Sequence, residues 1–289
     1  MPSTEPSLKL IECPRDALQG LPGFVPTDQK IQYLSELLKV GFDTIDAGSL
    51  VSPKVIPQMR DTPAVLEALP WQESSSKLLV IIANERGAQR AAELPMVRYL
   101  GYPFSVSEIF QKRNTNKTIA ESRILVRKLL DIAGNHQKEL VVYVSMGFGN
   151  PYREPWSADI VLRFCEKLAD MGVRIISLSD TIGTSNPDSI KHLFERLVPA
   201  FPQIEFGAHL HTTPQSWREK VEAAFAAGCR RFDGAIQGLG GCPMADDDLV
   251  GNMPTEKLLR FAQEQNLALG LDEKAFESAY QQAALLTSA

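Results

Sequence analysis

Two of the chain's four histidines stand one residue apart, in Ala208-His209-Leu210-His211. The stretch 205–211 reads as a short strand, and side chains alternate faces along a strand, so both imidazoles are expected on one face. Such a pair supplies half of a divalent-metal site; the alternative is two histidines packed in a core or at a rim, each satisfied by a backbone carbonyl. Asp16 offers a hard carboxylate oxygen, and Asn252, following Gly251, an amide oxygen. A mixed oxygen and nitrogen set with open positions suits a six-coordinate divalent ion that still binds water or substrate. The cysteines (Cys13, Cys165, Cys229 and Cys242) are scattered with no CxxC pair, which argues against a structural zinc site and against a disulfide framework.

Two more side chains carry a different chemistry. Arg15, beside Asp16, stays charged and donates in a fixed fork, which suits it to steady an enolate or thioester oxygen; a salt bridge to Asp16 or Asp46 is the competing role. Cys242 lies in Gly238-Leu239-Gly240-Gly241-Cys242-Pro243, where glycine permits backbone geometries that let a chain approach a ligand closely. An ordinary thiol, with a pKa of about 8.5, is mainly protonated at neutral pH and can deliver a proton as well as attack. The other cysteines are expected as core filler. Gly147-Phe148-Gly149-Asn150-Pro151 is a candidate substrate-touching turn, whereas Asp246-Asp247-Asp248 reads as a solvated loop, because three successive carboxylates do not converge.

These groups need a scaffold. Eight strand-like runs, at 8–13, 42–47, 77–83, 97–104, 139–145, 173–178, 205–211 and 230–236, alternate with stretches of helical apolar spacing. Ile31, Leu34, Leu37 and Leu38 mark a helix over 27–39, opened by Pro26-Thr27 and closed by Gly41; 155–171, 186–198 and 214–227 behave alike. Eight alternating units predict an α/β chain folded as a single (β/α)8 TIM barrel over 1–289, ending in a C-terminal helical segment. A doubly wound open sheet would need a glycine-rich phosphate turn after the first strand, and Cys13-Pro14-Arg15-Asp16 is not one. Active-site groups of a barrel collect at the C-terminal strand ends. There the sequence ends strand one in Arg15-Asp16, strand two in Asp46, strand six in Asp180-Thr181, strand seven in the two histidines and strand eight in the glycine loop Gly238 to Pro243.

With 44% hydrophobic residues in 289, the chain can bury a substantial core. A net charge of −5 argues against a broad basic surface and a nucleic-acid partner. The opening Met1-Pro2-Ser3-Thr4-Glu5-Pro6 lacks the basic and apolar regions of a signal peptide, and no apolar run approaches the roughly 18 residues of a membrane span, so a cytoplasmic protein is expected.

Several segments, in order over nearly the whole chain, carry a family resemblance: Pro14-Arg15-Asp16-Ala17-Leu18-Gln19, Ser49-Leu50-Val51-Ser52-Pro53-Lys54, Val55-Ile56-Pro57-Gln58-Met59, Ser179-Asp180-Thr181-Ile182-Gly183, the His209/His211 pair, Gly238 to Pro243, and Gly251-Asn252. On these the sequence resembles the 3-hydroxy-3-methylglutaryl-CoA lyases, metal-dependent TIM-barrel lyases related to homocitrate, citramalate and isopropylmalate synthases. The resemblance implies cleavage of 3-hydroxy-3-methylglutaryl-CoA, or a close 3-hydroxyacyl-CoA, to acetyl-CoA and acetoacetate with Mg2+ or Mn2+. It implies Asp16, His209, His211 and Asn252 as metal ligands, Arg15 as the enolate-stabilising residue, Cys242 as the loop thiol and Asp180 as an acidic group near the substrate. Asp46 stands where the lyases carry glutamate and joins the catalytic set. An acyl-CoA partner and a homodimer are implied as well.

The chain departs from the family pattern at Ala17 (usually glycine), Thr212 (commonly aspartate) and Met244 (an aromatic), which leaves the acyl part of the substrate open. An acidic protein has no general attraction for polyanionic CoA, so local groups such as Lys54 or helix N-termini would have to hold it. Two other classes compete. Claisen-condensing synthases more often show glutamate and glutamine in the first motif, here Leu18-Gln19, and lack the Gly-Gly-Cys-Pro loop. A non-catalytic metal- or acyl-binding barrel would not need the proton donor that Cys242 supplies.

Overall fold

The computed structural model describes residues 8–241 and 250–287; Cys242, Met244 and Asp246 to Asp248 lie outside the described residues. Strands β1 (Lys9–Glu12), β2 (Thr44–Ser49), β3 (Lys77–Ile81), β4 (Val97–Ser105), β5 (Glu139–Ser145), β6 (Ile175–Ser179), β7 (Glu205–His209) and β9 (Arg231–Gly234) close into a parallel barrel, β1 pairing with both β2 and β9. The remaining strands, β8 (His211–Thr212) and β10 (Gly251–Asn252), form a small antiparallel ribbon. Each of the eight sequence runs thus holds a barrel strand. Parallel strands are covered by helices outside and by side chains inside, and every residue of β2 and β6 is accordingly buried.

The helical spacing is also realised. Thr27–Val40 buries Tyr33, Leu34, Leu37 and Leu38 and ends at Gly41, whose φ of 84° is the left-handed conformation that glycine takes without penalty. Ala158–Asp170, Pro187–Ala200 and Trp217–Ala226 occupy the other expected helices, and Thr255–Glu264 and Glu273–Thr287 make the C-terminal helical segment. The last of these returns to Thr27–Val40, with Phe276 edge-on to Phe42 at 6.4 Å.

Three expectations need correction, one of them Asp46, which does not end β2 but stands third of its six residues. The seventh strand does not run to His211: its ladder ends when Asp180 N–H donates to His209 O (2.9 Å), and Leu210 turns into the apolar core. His211 then starts β8 and pairs with Asn252 instead. Arg15 and Asp16 do not end a strand; they lie in the short helix Pro14–Gln19, where proline at the first turn needs no N–H partner.

Inside the barrel Leu79, Ile81, Tyr99, Val141, Tyr143 and Ile175 form one apolar cluster. Arg231, 1% exposed, fills another part of the lumen and donates to Glu205 (3.1 Å). Its aliphatic stem passes so close to Gly207 that a Cβ there would sit 3.0 Å from Arg231 Cδ, so the partner position on β7 has to be nearly bare.

Glu12, the last residue of β1, is fully buried and accepts from Ile236 N (2.9 Å) and from the Thr255 hydroxyl, pinning the exit of β9 to the helix that follows β10. Burial, only partly offset by these bonds, raises its pKa to about 8. An unfolded glutamate titrates at about 4.3, so between these values the folded chain binds the extra proton and stability falls as pH rises. Thermal melts of a Glu12→Gln variant should lose much of the parent's decline between about pH 5 and about pH 8, a difference on the order of a few kcal/mol. An unchanged slope would show that the carboxyl is not held neutral.

Candidate active site

At the C-terminal end of the barrel a cavity of about 270 Å³ is lined by Arg15, Asp16, Gln19, His209 and His211 together with Val51, Ile81, Phe110 and Tyr143. Ligand atoms of Asp16, His209 and His211 all lie within 4.8 Å of one another, and the two imidazoles stand 5.6 Å apart at 61°. Strand end β7, the ribbon β8/β10 and the helix after β1 therefore deliver three donors to one point.

The protonation pattern fits a cation there. His211 is 3% exposed, and neither ring nitrogen has a hydrogen-bond partner among the described residues. Burial first, then His209, lowers its pKa to about 4, so the ring is neutral at physiological pH, the form in which an imidazole can bind a cation. Buried orphan nitrogens are rare unless water or an ion satisfies them. His209 is held differently: Nδ1 donates to Asp233 Oδ2 at 3.1 Å, which fixes the ring and leaves Nε2 for ligation. Burial alone would lower the His209 pKa, but the bond to Asp233 and the charges of Asp233 and Asp16 more than offset it. Asp16 is drawn the other way. Burial opposes its charge, yet Arg15, His209, Asn252 and His211 together hold its pKa below the usual carboxylate value.

Asp233 escaped the sequence reading, although the period-two alternation of 230–236 already turned it to the same side as Arg231. Cys13 also comes within 4.8 Å of His209 and Asp233. Burial, reinforced by Asp233, pushes its thiol pKa well up, which makes it a poor ligand and agrees with its expected filler role.

Asn252 reaches Asp16 through its amide nitrogen, 2.8 Å from Oδ2, while the same nitrogen donates to Leu239 O at 2.8 Å. Gly240 makes that approach possible. Its φ is +84°, and a Cβ there would lie 2.7 Å from Asp16 O and 2.9 Å from Asn252 Nδ2.

Arg15 makes both of its expected ion pairs: Nη1 to Asp16 Oδ1 (2.8 Å), and Nε and Nη2 to Asp46 Oδ2 (3.0 and 2.6 Å), with Gln19 accepting from Nη1 at 3.1 Å. Burial would weaken its charge, but Asp46 and Asp16 more than restore it. Asp46 does not line the cavity and acts on it through Arg15; burial lifts its pKa to about 6 despite that pairing, and its Oδ1 is among the unpartnered atoms. Asp180 is placed differently from expectation. Rather than lining the cavity, its carboxylate turns to Lys220 Nζ (2.9 Å) and to Ser185 N (3.0 Å), because the buried ammonium of Lys220 outcompetes the open site for it. Lys54 is exposed, next to the cavity residues Val55 and Ile56. The 147–151 turn is tied to its surroundings, Gly147 N donating to Ser179 O and Asn150 Oδ1 accepting from Tyr152 N and Glu154 N.

A closed β/α barrel carrying an aspartate and two histidines at its C-terminal rim defines a class of barrel proteins built to hold a divalent cation beside a substrate cavity. The sequence profile of the HMGL-like family matches residues 9–282, and the chain belongs to that family. The hydroxymethylglutaryl-CoA lyase of Bacillus subtilis is 31% identical over 254 residues, covering 88% of this chain and 84% of that protein. A 3-hydroxy-3-isohexenylglutaryl-CoA/hydroxymethylglutaryl-CoA lyase of Pseudomonas aeruginosa is 30% identical over 275 residues, covering 95% and 91%. The structure of an HMG-CoA lyase from Acinetobacter baumannii with coenzyme A and 3-methylmalate superposes with a TM-score of 0.90 at 31% identity, over 100% of this chain and 93% of that one.

A side chain at position 240 should cost about 1–3 kcal/mol in backbone strain and push Asp16 from Asn252. Gly240→Ala is therefore expected to lower Tm modestly and to weaken Mn2+ binding, both measurable by calorimetry. Parent-like affinity would show that the Asp16–Asn252 contact is dispensable.

Proposed function

We propose that this protein is a divalent-metal-dependent carbon–carbon lyase that splits 3-hydroxy-3-methylglutaryl-CoA, or a close 3-hydroxy-3-alkyl relative, into acetyl-CoA and a 3-oxo acid, acetoacetate for the methyl substrate. The observation that carries the reading is His211, buried with neither ring nitrogen bonded among the described residues, its ligand atom within 4.8 Å of those of Asp16 and His209, with Asp16 paired to Arg15. Asp16, His209, His211 and Asn252 would hold the ion, and a donor set of oxygen and nitrogen without thiolate favours Mg2+ or Mn2+. Bound there, the cation would supply Lewis-acid stabilisation of charge developing at the 3-hydroxyl oxygen.

The rest of the chemistry falls to the side chains. The 3-hydroxyl proton passes to water as C2–C3 breaks, that oxygen becomes a carbonyl, and the bonding pair passes to the thioester as an enolate. Arg15 steadies the enolate oxygen. Its hydrogen bonds to Asp46, Asp16 and Gln19 use four of its five N–H donors, which fixes the fork and leaves one donor for a substrate oxygen. Cys242 Sγ returns a proton to C2, completing acetyl-CoA. Asp46 serves by orienting Arg15. A Claisen-condensing synthase is disfavoured because the relatives named above are lyases and because the Gly-Gly-Cys-Pro loop is present.

The reading extends to a cytoplasmic homodimer; among the described residues no helix is long and apolar enough to cross a membrane, and Cys13, Cys165 and Cys229 are free and buried.

Supplying 3-hydroxy-3-alkylglutaryl-CoA thioesters of increasing alkyl length should yield acetyl-CoA by mass spectrometry with Mg2+ or Mn2+ and none in chelator. Undiminished turnover in chelator would sink the metal role, and acetyl-CoA consumption with a 2-keto acid would favour the synthase. Cys242→Ala should lower kcat by about 10²–10⁴ with an unchanged melting curve, and near-normal kinetics would remove the thiol as proton donor.

A further inference from the structure

Lys220, on the helix Trp217–Ala226, is 4% exposed, which is unusual for a lysine unless it is paired. Its ammonium spends all three donors: on Asp180 Oδ2 at 2.9 Å, on His211 O at 2.8 Å and on Gly183 O at 3.3 Å. Asp180 accepts in turn from Ser185 N at 3.0 Å and from the Ser185 hydroxyl. One buried cation therefore joins the exit of β6, the turn after it and the backbone of His211.

The two histidines are held by different means. The His209 ring is oriented by Asp233, the usual outer hydrogen bond of a metal-ligating imidazole. The His211 ring has no such bond among the described residues. What holds His211 is its main chain, paired with Asn252 on one side and bonded to Lys220 through its carbonyl. We propose that Lys220, backed by Asp180, is the positioning residue for His211 and sets the chain's affinity for the divalent ion, with Asp180 acting through Lys220 rather than on the substrate. The inference rests on the metal reading given above and deepens it.

Removing one partner of a buried ion pair is strongly destabilising, so Lys220→Met alone is a poor test. The double variant Asp180→Asn/Lys220→Met neutralises both partners and removes the donor to His211 O. Lys220→Arg keeps the charge for Asp180, but its planar fork is ill suited to three diverging acceptors. Mn2+ affinity of the metal-free full chain, read by electron paramagnetic resonance of free Mn2+ below each variant's melting range, should fall about 10–100-fold in both, the range found when an outer-sphere partner of a ligand is lost. Affinity within about twofold of the parent in either folded variant, even with a lower Tm, would make Lys220 merely structural and overturn the inference while leaving the metal reading intact. Failure of the parent itself to bind Mn2+ would overturn both.

Discussion

The carboxylate of Asp16 is gripped from two ends of the chain, by Arg15 on one oxygen and by Asn252 on the other, each at 2.8 Å. Asn252 lies 236 residues further on, so this contact exists only when the barrel has closed, β1 lying against β9. Its neighbours serve the same end. Glu12 ties β1 to Ile236 and Thr255, Gly240 clears the space, and β10 sets Asn252 opposite His211. Loosening any of them moves Asp16 relative to the imidazoles.

The electrostatics of the rim follow from that geometry. Arg15 is flanked by two carboxylates; the more exposed, Asp16, stays ionised, whereas the fully buried Asp46 is lifted to about 6. Burial holds His211 neutral, while Asp233 supports charge on His209. The result is an ionised carboxylate beside two imidazoles in different protonation environments, lining a cavity that also has apolar residues in its wall.

Much of this was readable from residue order. The βα alternation located every barrel strand, because parallel strands buried on both faces are written as short β-branched runs. The candidates Arg15, Asp16, His209, His211 and Asn252 do converge. Asp46 and Asp180 are harder to read: the sequence places a carboxylate in or next to a strand but not which way it turns, and both are claimed by buried cations, Arg15 and Lys220. Lys220 drew no notice because a lysine in an amphipathic helix ordinarily faces water.

Local pattern was therefore sufficient for the elements and for the types of ligand, since helical and strand periodicities involve near neighbours. The break after His209, the turn of Asp180 away from the cavity, and the pairs His209–Asp233 and Lys220–Asp180 were settled only by tertiary packing. Those partners stand 24 and 40 residues apart, and a buried charge takes whichever acceptor the closed barrel brings within reach, a competition that neighbouring residues do not encode.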